Sequence, residues 1–412
     1  MQSSLVNPTL HPLIQRFPVE MLSEIFQRCV QEDYLPAIVR AAGVCHWWRE
    51  VALSNPKLWT LVKVTNTSIR DHSTLLQVLG RSNDHPLSLH LVFEPSNLDD
   101  DFYVDMAILL TTIVTDELKR CASLTFVGGQ IASGVVARAF KGESFPHLRR
   151  LTLHNLDASM HWQAPPADGK EPPLAPEDFV FRMDPGHCLT ECSLRGFGLP
   201  EDDPLPHIEK TRIINHTPDM VVNDMLNPHI FSSPRTLSLN GVCVPVMSYP
   251  GATHKAQRQS TNLEILHLIK LRASPDYDLH PDGYYDHDSA PFFCALDTSR
   301  LTHFTMEEWD FGGNILDDFL RVLMTESAKF PHVVSLTMRR MDFWLGLSDP
   351  ETFWQIVAFL EVFPALEHLC LQSILEWRGI LEVLSQFPDV CPRLREVEID
   401  EEVFQRGDPL HN

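Results

Sequence analysis

Twenty histidines and nine cysteines in a 412-residue chain direct attention first to metal chemistry. A tetrahedral zinc site needs thiolates or imidazoles held together by short spacings, such as a C-x-x-C pair or an H-E-x-x-H helix. Neither pattern occurs. Cys188 and Cys192 straddle a predicted strand entry, and their spacing reads as packing rather than ligation. Asp278-x-His280-x-Asp282-Gly283, with Asp286 in the ninth place, copies the opening of a calcium loop. Its twelfth place is Ser289, where a bidentate carboxylate is needed, and His280 is a poor ligand for a hard cation. A solvated acidic loop is the better reading. Gly128-Gly129 and Gly134 follow the strand-like Leu124–Val127 and precede a helical pattern. Neither G-x-G-x-x-G nor a Walker lysine accompanies them, so a turn between repeats explains them more simply than a phosphate cradle. No G-x-S-x-G elbow is present either. The expectation is a chain with no catalytic residue, no metal and no cofactor.

The length suffices for roughly one large domain or two to three ordinary ones, and 44% apolar residues allow a substantial core. A net charge of −22 argues against a nucleic-acid backbone or an anionic membrane as the main partner. Residues 1–16 show no basic segment followed by an apolar block, so no signal peptide is expected. The longest apolar stretches, Val104–Val114 and Ile356–Phe363, are too short or too polar to span a bilayer. An odd number of irregularly spaced cysteines does not read as a disulfide framework. A reducing cytoplasmic or nuclear compartment fits, in which the sequons at Asn66 and Asn215 stay unmodified.

The elements that would position any function begin at Phe17. Pro18 suits the first turn of a helix, and Glu20 lies favourably at its positive end. Met21, Leu22, Ile25, Phe26 and Cys29 follow one-face helical spacing. Pro36 interrupts the run, and a second helix is expected from Ala37, with Ile38, Val39 and Ala42 on one side. Gly43 marks a break before a third carrying Val44, Trp47, Trp48, Val51 and Ala52. Asn55-Pro56 stops that helix, and Leu58-Trp59 folds back as an anchor. Three short helices fall near the lower limit for a unit that folds alone, so this one needs a neighbouring core or a partner.

Phe17-Pro18-Val19-Glu20, then Ile25-Phe26, then Val44-Cys45-His46-Trp47-Trp48-Arg49 and Pro56-Lys57-Leu58-Trp59, together resemble an F-box. The closest likeness is to the F-box-like variant abundant in mushroom-forming fungi, with Phe17 where Leu is usual. The resemblance implies docking on a Skp-type adaptor and, through it, on the cullin of a ubiquitin ligase. It implies an apolar adaptor-binding surface built from Phe17, Pro18, Ile25, Phe26 and Val44, with Trp48 and Trp59 packing the helical unit.

Beyond Trp59 an apolar-x-x-apolar-x-apolar pattern recurs, as in Leu148/Leu151/Leu153, Leu263/Leu266/Leu268 and Leu366/Leu369/Leu371. Its middle position falls at 124, 151, 192, 237, 266, 304, 336, 369 and 397, at spacings from 27 to 45. Weaker copies are Pro86/Leu89/Leu91 and Trp59/Val62/Val64. The last two apolar sites have the period of a strand with one buried face. Phe145-Pro146, Phe330-Pro331, Phe363-Pro364 and Cys391-Pro392 precede several copies. Helical stripes lie between, at Ile315–Leu323, Phe353–Leu360 and Leu375–Leu384. This alternation resembles a degenerate leucine-rich repeat solenoid. The Asn or Cys that usually closes each repeat is replaced by Leu156, Phe197, Val242, Leu271, Trp309, Met341 or Ile374, so the turns must close by other means.

The expected fold class is therefore α/β: a three-helix F-box over residues 11–60, then an irregular leucine-rich repeat solenoid over 61–406. Insertions are expected near 158–187, 244–261 and 273–291. The last is the most acidic, and Asp276, Asp278, Asp282, Asp286 and Asp288 are the candidate target-binding residues, suited to a basic partner. The functional expectation is the substrate-recognition subunit of a Skp–cullin–F-box type ubiquitin ligase, which binds the adaptor, an unknown target protein, no nucleic acid and no membrane. A repeat scaffold with a merely capping helical unit, or an α/β enzyme with a closed pocket, are the rival readings.

Overall fold

The structure, a computed structural model, describes residues 17–66, 72–93, 100–140, 143–156, 188–197, 208–214, 234–244, 262–273, 296, 298–309, 319, 330–341, 350–374, 377–400 and 402–405. The expected insertions lie outside these residues save for Val244 and Ala273, which end short strands. The five aspartates Asp276, Asp278, Asp282, Asp286 and Asp288 lie outside them entirely, and so does the tail after Gln405. Of the helical stripe Ile315–Leu323, only Phe319 is described; it is buried.

The described residues fall in two compact units, one up to Leu156 together with Cys188 and the other from Leu189. The first opens with helix α1 (Val19–Val44), helix α2 (His46–Ser54) and a 3-10 turn at Pro56–Trp59. Strands β1 (Leu61–Thr65), β2 (Leu87–Phe93), β3 (Cys121–Gly128) and β4 (Arg150–Asn155) follow. They pair in parallel and in chain order. Parallel neighbours require crossovers. Helices α3 (His72–Ser82), α4 (Asp100–Asp116) and α5 (Gln130–Phe140) lie within those crossovers. One face of the sheet is buried along the registered row Val62, Leu89, Leu124 and Leu151. Phe93 at the end of β2 meets Phe102 of α4 edge to face at 6.2 Å, which places that helix on the buried side.

The second unit repeats the design. Strands β5 (Glu191–Arg195), β6 (Lys210–Ile214), β7 (Thr236–Asn240) and β9 (Ile265–Ile269) are parallel neighbours. Strands β11 (His303–Glu307), β12 (Ser335–Arg339), β13 (His368–Gln372) and β14 (Glu396–Ile399) continue the parallel order. β8 (Cys243–Val244) and β10 (Arg272–Ala273) form a separate small pair, and β15 (Glu402–Gln405) closes on β14 antiparallel. Helices α6 (Pro350–Glu361) and α7 (Trp377–Gln386) lie in the later crossovers. The triads read from the sequence are therefore parallel strands with one buried face. One strand was hidden. β6 carries Thr211 where its neighbours have Cys192 and Leu237, so Ile208-x-x-Thr211-x-Ile213 lacks the apolar middle position. It divides the apparent gap of 45 residues between positions 192 and 237.

The turns do close by other means. The residue following each of β5, β7, β9, β11, β12, β13 and β14 has positive φ: Gly196, Gly241, Lys270, Glu308, Arg340, Ser373 and Asp400. For a residue with a Cβ this backbone region costs about 1–2 kcal/mol. The cost is offset at Lys270, Glu308 and Arg340 because the reversed N–H, like that of Gly241, reaches the neighbouring strand's last carbonyl; Ser373 N–H instead donates to the Asp400 carboxylate at 2.6 Å. Lys270 N–H donates to Glu307 O at 2.7 Å, Glu308 to Arg339 O at 3.0 Å and Arg340 to Gln372 O at 2.8 Å. The turn side chains also pair with one another, Lys270 with Glu308 at 2.9 Å and Glu308 with Arg340 at 2.5 Å. Hydrogen bonding from Lys270 is the main reason the Glu308 carboxyl is held below its usual range. The chain then dives inward, burying Phe197, Val242, Leu271, Trp309, Met341 and Ile374 where an Asn ladder would otherwise stand.

Phenylalanines before proline supply a second repeated device. Phe330 and Phe363 each accept a turn hydrogen bond, from Val333 and Leu366, with Pro331 and Pro364 preset in the turn. Their rings stack into the core, Phe304 on Phe330 at 5.3 Å and Phe330 on Phe363 at 5.3 Å. Leu369→Ala, in the buried row of β13, is expected to cost about 2–5 kcal/mol of unfolding free energy. Thr305→Ala, on the opposite face of β11, should stay within about 0.5 kcal/mol. Denaturant titration of both variants checks the assignment of faces.

Candidate protein-interaction site

Helix α1 starts where Pro18, at the cap position, lends its carbonyl to Leu22 N–H at 3.1 Å. A helix turns about 100° per residue, so residues four apart share a face and adjacent residues do not. The apolar run therefore splits into two stripes. Leu22, Phe26 and Val30 are buried, while Met21, Ile25 and Cys29, each one residue earlier, are exposed. The single face expected from Met21 to Cys29 is corrected accordingly.

Two further expectations about this region are corrected. Pro36 does not break the helix: α1 runs unbroken from Val19 to Val44 with Pro36 inside it. An interior proline forfeits a hydrogen bond at a cost of about 3 kcal/mol, and burial of Val30, Ala37 and Ile38 on either side of it holds both halves in line. The break also falls at Cys45 rather than Gly43. Cys45 is extended, with φ −159° and ψ 171°, and its Sγ accepts from Trp48 N–H at 3.4 Å, capping α2. Two α-helices and a 3-10 turn thus replace the three helices anticipated.

Of the five residues singled out for adaptor binding, four lie on the surface. Phe17 and Ile25 are each 42% exposed and Val44 is 53% exposed, and Pro18 is exposed between them in sequence. Phe26 is the exception. It is 2% exposed, and its ring meets Trp48 in a T-shaped contact with the centroids 5.1 Å apart, so it packs the helical unit from within. Val19 and Met21, not singled out from the sequence, join the exposed group beside Phe17 and Ile25. The signal for them was available in the helical phase, once Leu22 and Phe26 are fixed as the inward row. Charged groups rim this end of α1: Glu20 stands in its first turn, and Glu24 pairs with Arg28 at 3.3 Å. An apolar centre with a polar rim is the anatomy of a protein-binding surface.

Trp59 behaves as an anchor. It is buried, its Nε1 donates to Ala52 O at 2.9 Å, and the Arg81 guanidinium lies 4.6 Å from its ring centre. Burial pushes the Cys121 thiol up to about 12, and burial with nearby Glu398 raises Cys370, so both are held as poor nucleophiles. Cys192 is buried in the strand core while Cys188 is exposed. Gly128 ends β3 where a Cβ would stand 2.7 Å from Phe126 Cζ, so close packing requires it. Among the described residues, no three His, Cys, Asp or Glu side chains are grouped to hold a metal ion, and no helix is long and apolar enough to cross a membrane.

Phe26→Ala and Trp59→Ala should each destabilise the helical unit by about 3–5 kcal/mol. Circular-dichroism melting reads this as an earlier loss of helix. A Phe26→Ala variant that melts with the wild type would return Phe26 to the surface.

Residues 14–63 match the family model described as F-box-like. No curated protein matches the chain. F-box domains generally bind Skp-type adaptors, and the matched segment coincides with the helices that carry the exposed apolar group.

Proposed function

We propose that this chain is the substrate receptor of a Skp–cullin–F-box type ubiquitin ligase. Its F-box-like helices dock on the adaptor, and its strand–helix repeats, read as a degenerate leucine-rich repeat solenoid, capture a target protein. The observation that carries the reading is the exposed group Phe17, Val19, Met21 and Ile25 within the segment that matches the F-box-like family. Leaving such side chains in water forgoes about 1.5–3 kcal/mol for each that a partner could bury. A domain that merely capped the repeats would gain by turning them inward or replacing them.

The mechanism is positional. A target held by the repeats stands near the ubiquitin-conjugating enzyme that the cullin recruits, which raises the effective concentration of its lysines. The chain contributes no reacting group, no cofactor and no metal. The compartment is the cytoplasm or nucleus, where adaptor and cullin are encountered.

Pro18→Ala combined with Ile25→Ala should abolish capture by purified Skp-type adaptor, each lost anchor costing about 2 kcal/mol of binding. Its melting curve should overlay that of the wild type, because neither side chain belongs to the buried row. Full adaptor capture by the folded double variant would reduce the helical unit to a cap.

A further inference from the structure

Strands β1 to β4 bury alternate side chains and turn the others to the opposite face. Along one registered row of that face Lys63 stands beside His90, His90 beside Thr125, and Thr125 beside Thr152. The row on one side ends at Arg150, next to Ser123. The row on the other side holds Val92 and Val127 and ends at His154. Lys63 and Arg150 are exposed. Among the described residues of this face there is no carboxylate, in a chain whose net charge is −22. His90 registers the local field: its imidazole is held below its usual range by burial first, then by Lys63 and Arg150.

We propose that the face of β1–β4 opposite the buried row binds an extended acidic segment of a protein, its carboxylates meeting Lys63 and Arg150 and an aliphatic side chain lying against Val92 and Val127. This deepens the proposed function, because it rests on the strands being the capture surface, and it gives the captured target a chemistry opposite to that suited to the aspartates at 276–288. β1 and β4 are three interstrand steps apart, about 14 Å. An extended chain rises about 3.3 Å per residue, so carboxylates about four residues apart would reach both cations at once. A protein segment fits better than a nucleic acid. The strongly acidic remainder of the chain repels a long polyanion, and no Phe, Tyr or Trp side chain among the described residues stands on this face to stack a base.

The test uses the full chain and a short fluorescent peptide that is rich in Asp and Glu and contains a single Leu, read by anisotropy. Binding should weaken with added salt, since exposed charges are screened. Lys63→Glu with Arg150→Glu should weaken it about tenfold or more, and Lys63→Gln with Arg150→Gln by a smaller factor. The neutral pair guards against misfolding, and melting curves confirm that both variants are folded. In the wild type, the His90 titration midpoint followed by NMR should rise when the peptide is bound. Unchanged affinity in both variants overturns the proposal, as does equal affinity for a basic peptide or a single-stranded oligonucleotide. Tighter peptide binding after Asp276, Asp278, Asp282, Asp286 and Asp288 are changed to Asn would make the chain's own acidic segment the occupant and overturn the assignment to a target. Adaptor capture by the same preparations is an independent reading. Its absence in the wild type would sink the ligase function and leave the peptide result standing.

Discussion

The first unit depends on one buried side chain. Trp59 donates its indole N–H to Ala52 in α2 and receives the Arg81 guanidinium of α3 on its ring face. The carbonyl of the next residue, Thr60, accepts from Ser88 N–H at 2.8 Å, where β1 and β2 begin to pair. Helices and sheet are thereby joined within two residues. The exposed end of α1 and the cationic face of β1–β4 are built on one compact unit, and the F-box-like helices need not be stable alone. That answers the size problem posed by so short a helical segment, whose own buried area is small.

In the second unit the recurring constraint is the left-handed residue that follows β5, β7, β9, β11, β12, β13 and β14. It lets the chain reverse in one step, at Gly241, Lys270, Glu308 and Arg340 satisfies the neighbouring strand's terminal carbonyl, and precedes the buried Phe197, Val242, Leu271, Trp309, Met341 and Ile374. An Asn ladder does the same work with side-chain hydrogen bonds. Here backbone bonds and buried apolar groups do it, with Phe304, Phe330 and Phe363 stacked alongside. Nothing in that arrangement fixes the length of chain between one strand and the next. Irregular spacing between repeats is therefore compatible with a regular register, which runs through Leu266, Phe304, Leu336 and Leu369 without a slip.

Much of this was legible in the sequence because a period of two is hard to mistake. The triads around Leu151, Leu266, Leu336 and Leu369 gave strands and their buried faces. β6 was not legible, since Thr211 breaks the triad while its burial is supplied by neighbours on both sides. The left-handed turns were hidden for a similar reason. Lys270, Glu308, Arg340, Ser373 and Asp400 hold a conformation that sequence reasoning assigns to glycine. In α1 the apolar residues come in adjacent pairs, Met21-Leu22 and Ile25-Phe26. Spacing alone does not say which member of a pair faces inward. Contact with Trp48 decides it, burying Phe26 and leaving Ile25 exposed. At Pro36 local propensity predicts a break, and the tertiary contacts of α1 override it.

The proposed function places adaptor docking at the exposed end of α1. Hydrogen exchange of the full chain, with and without a purified Skp-type adaptor at saturating concentration, tests it most directly. The account predicts that slowed exchange centres on the peptides spanning Phe17 to Arg28 and Val44 to Trp48, while β5–β14 exchange as in the free chain. A stable complex whose protection lies on the strands, with Phe17 to Arg28 unchanged, would contradict it.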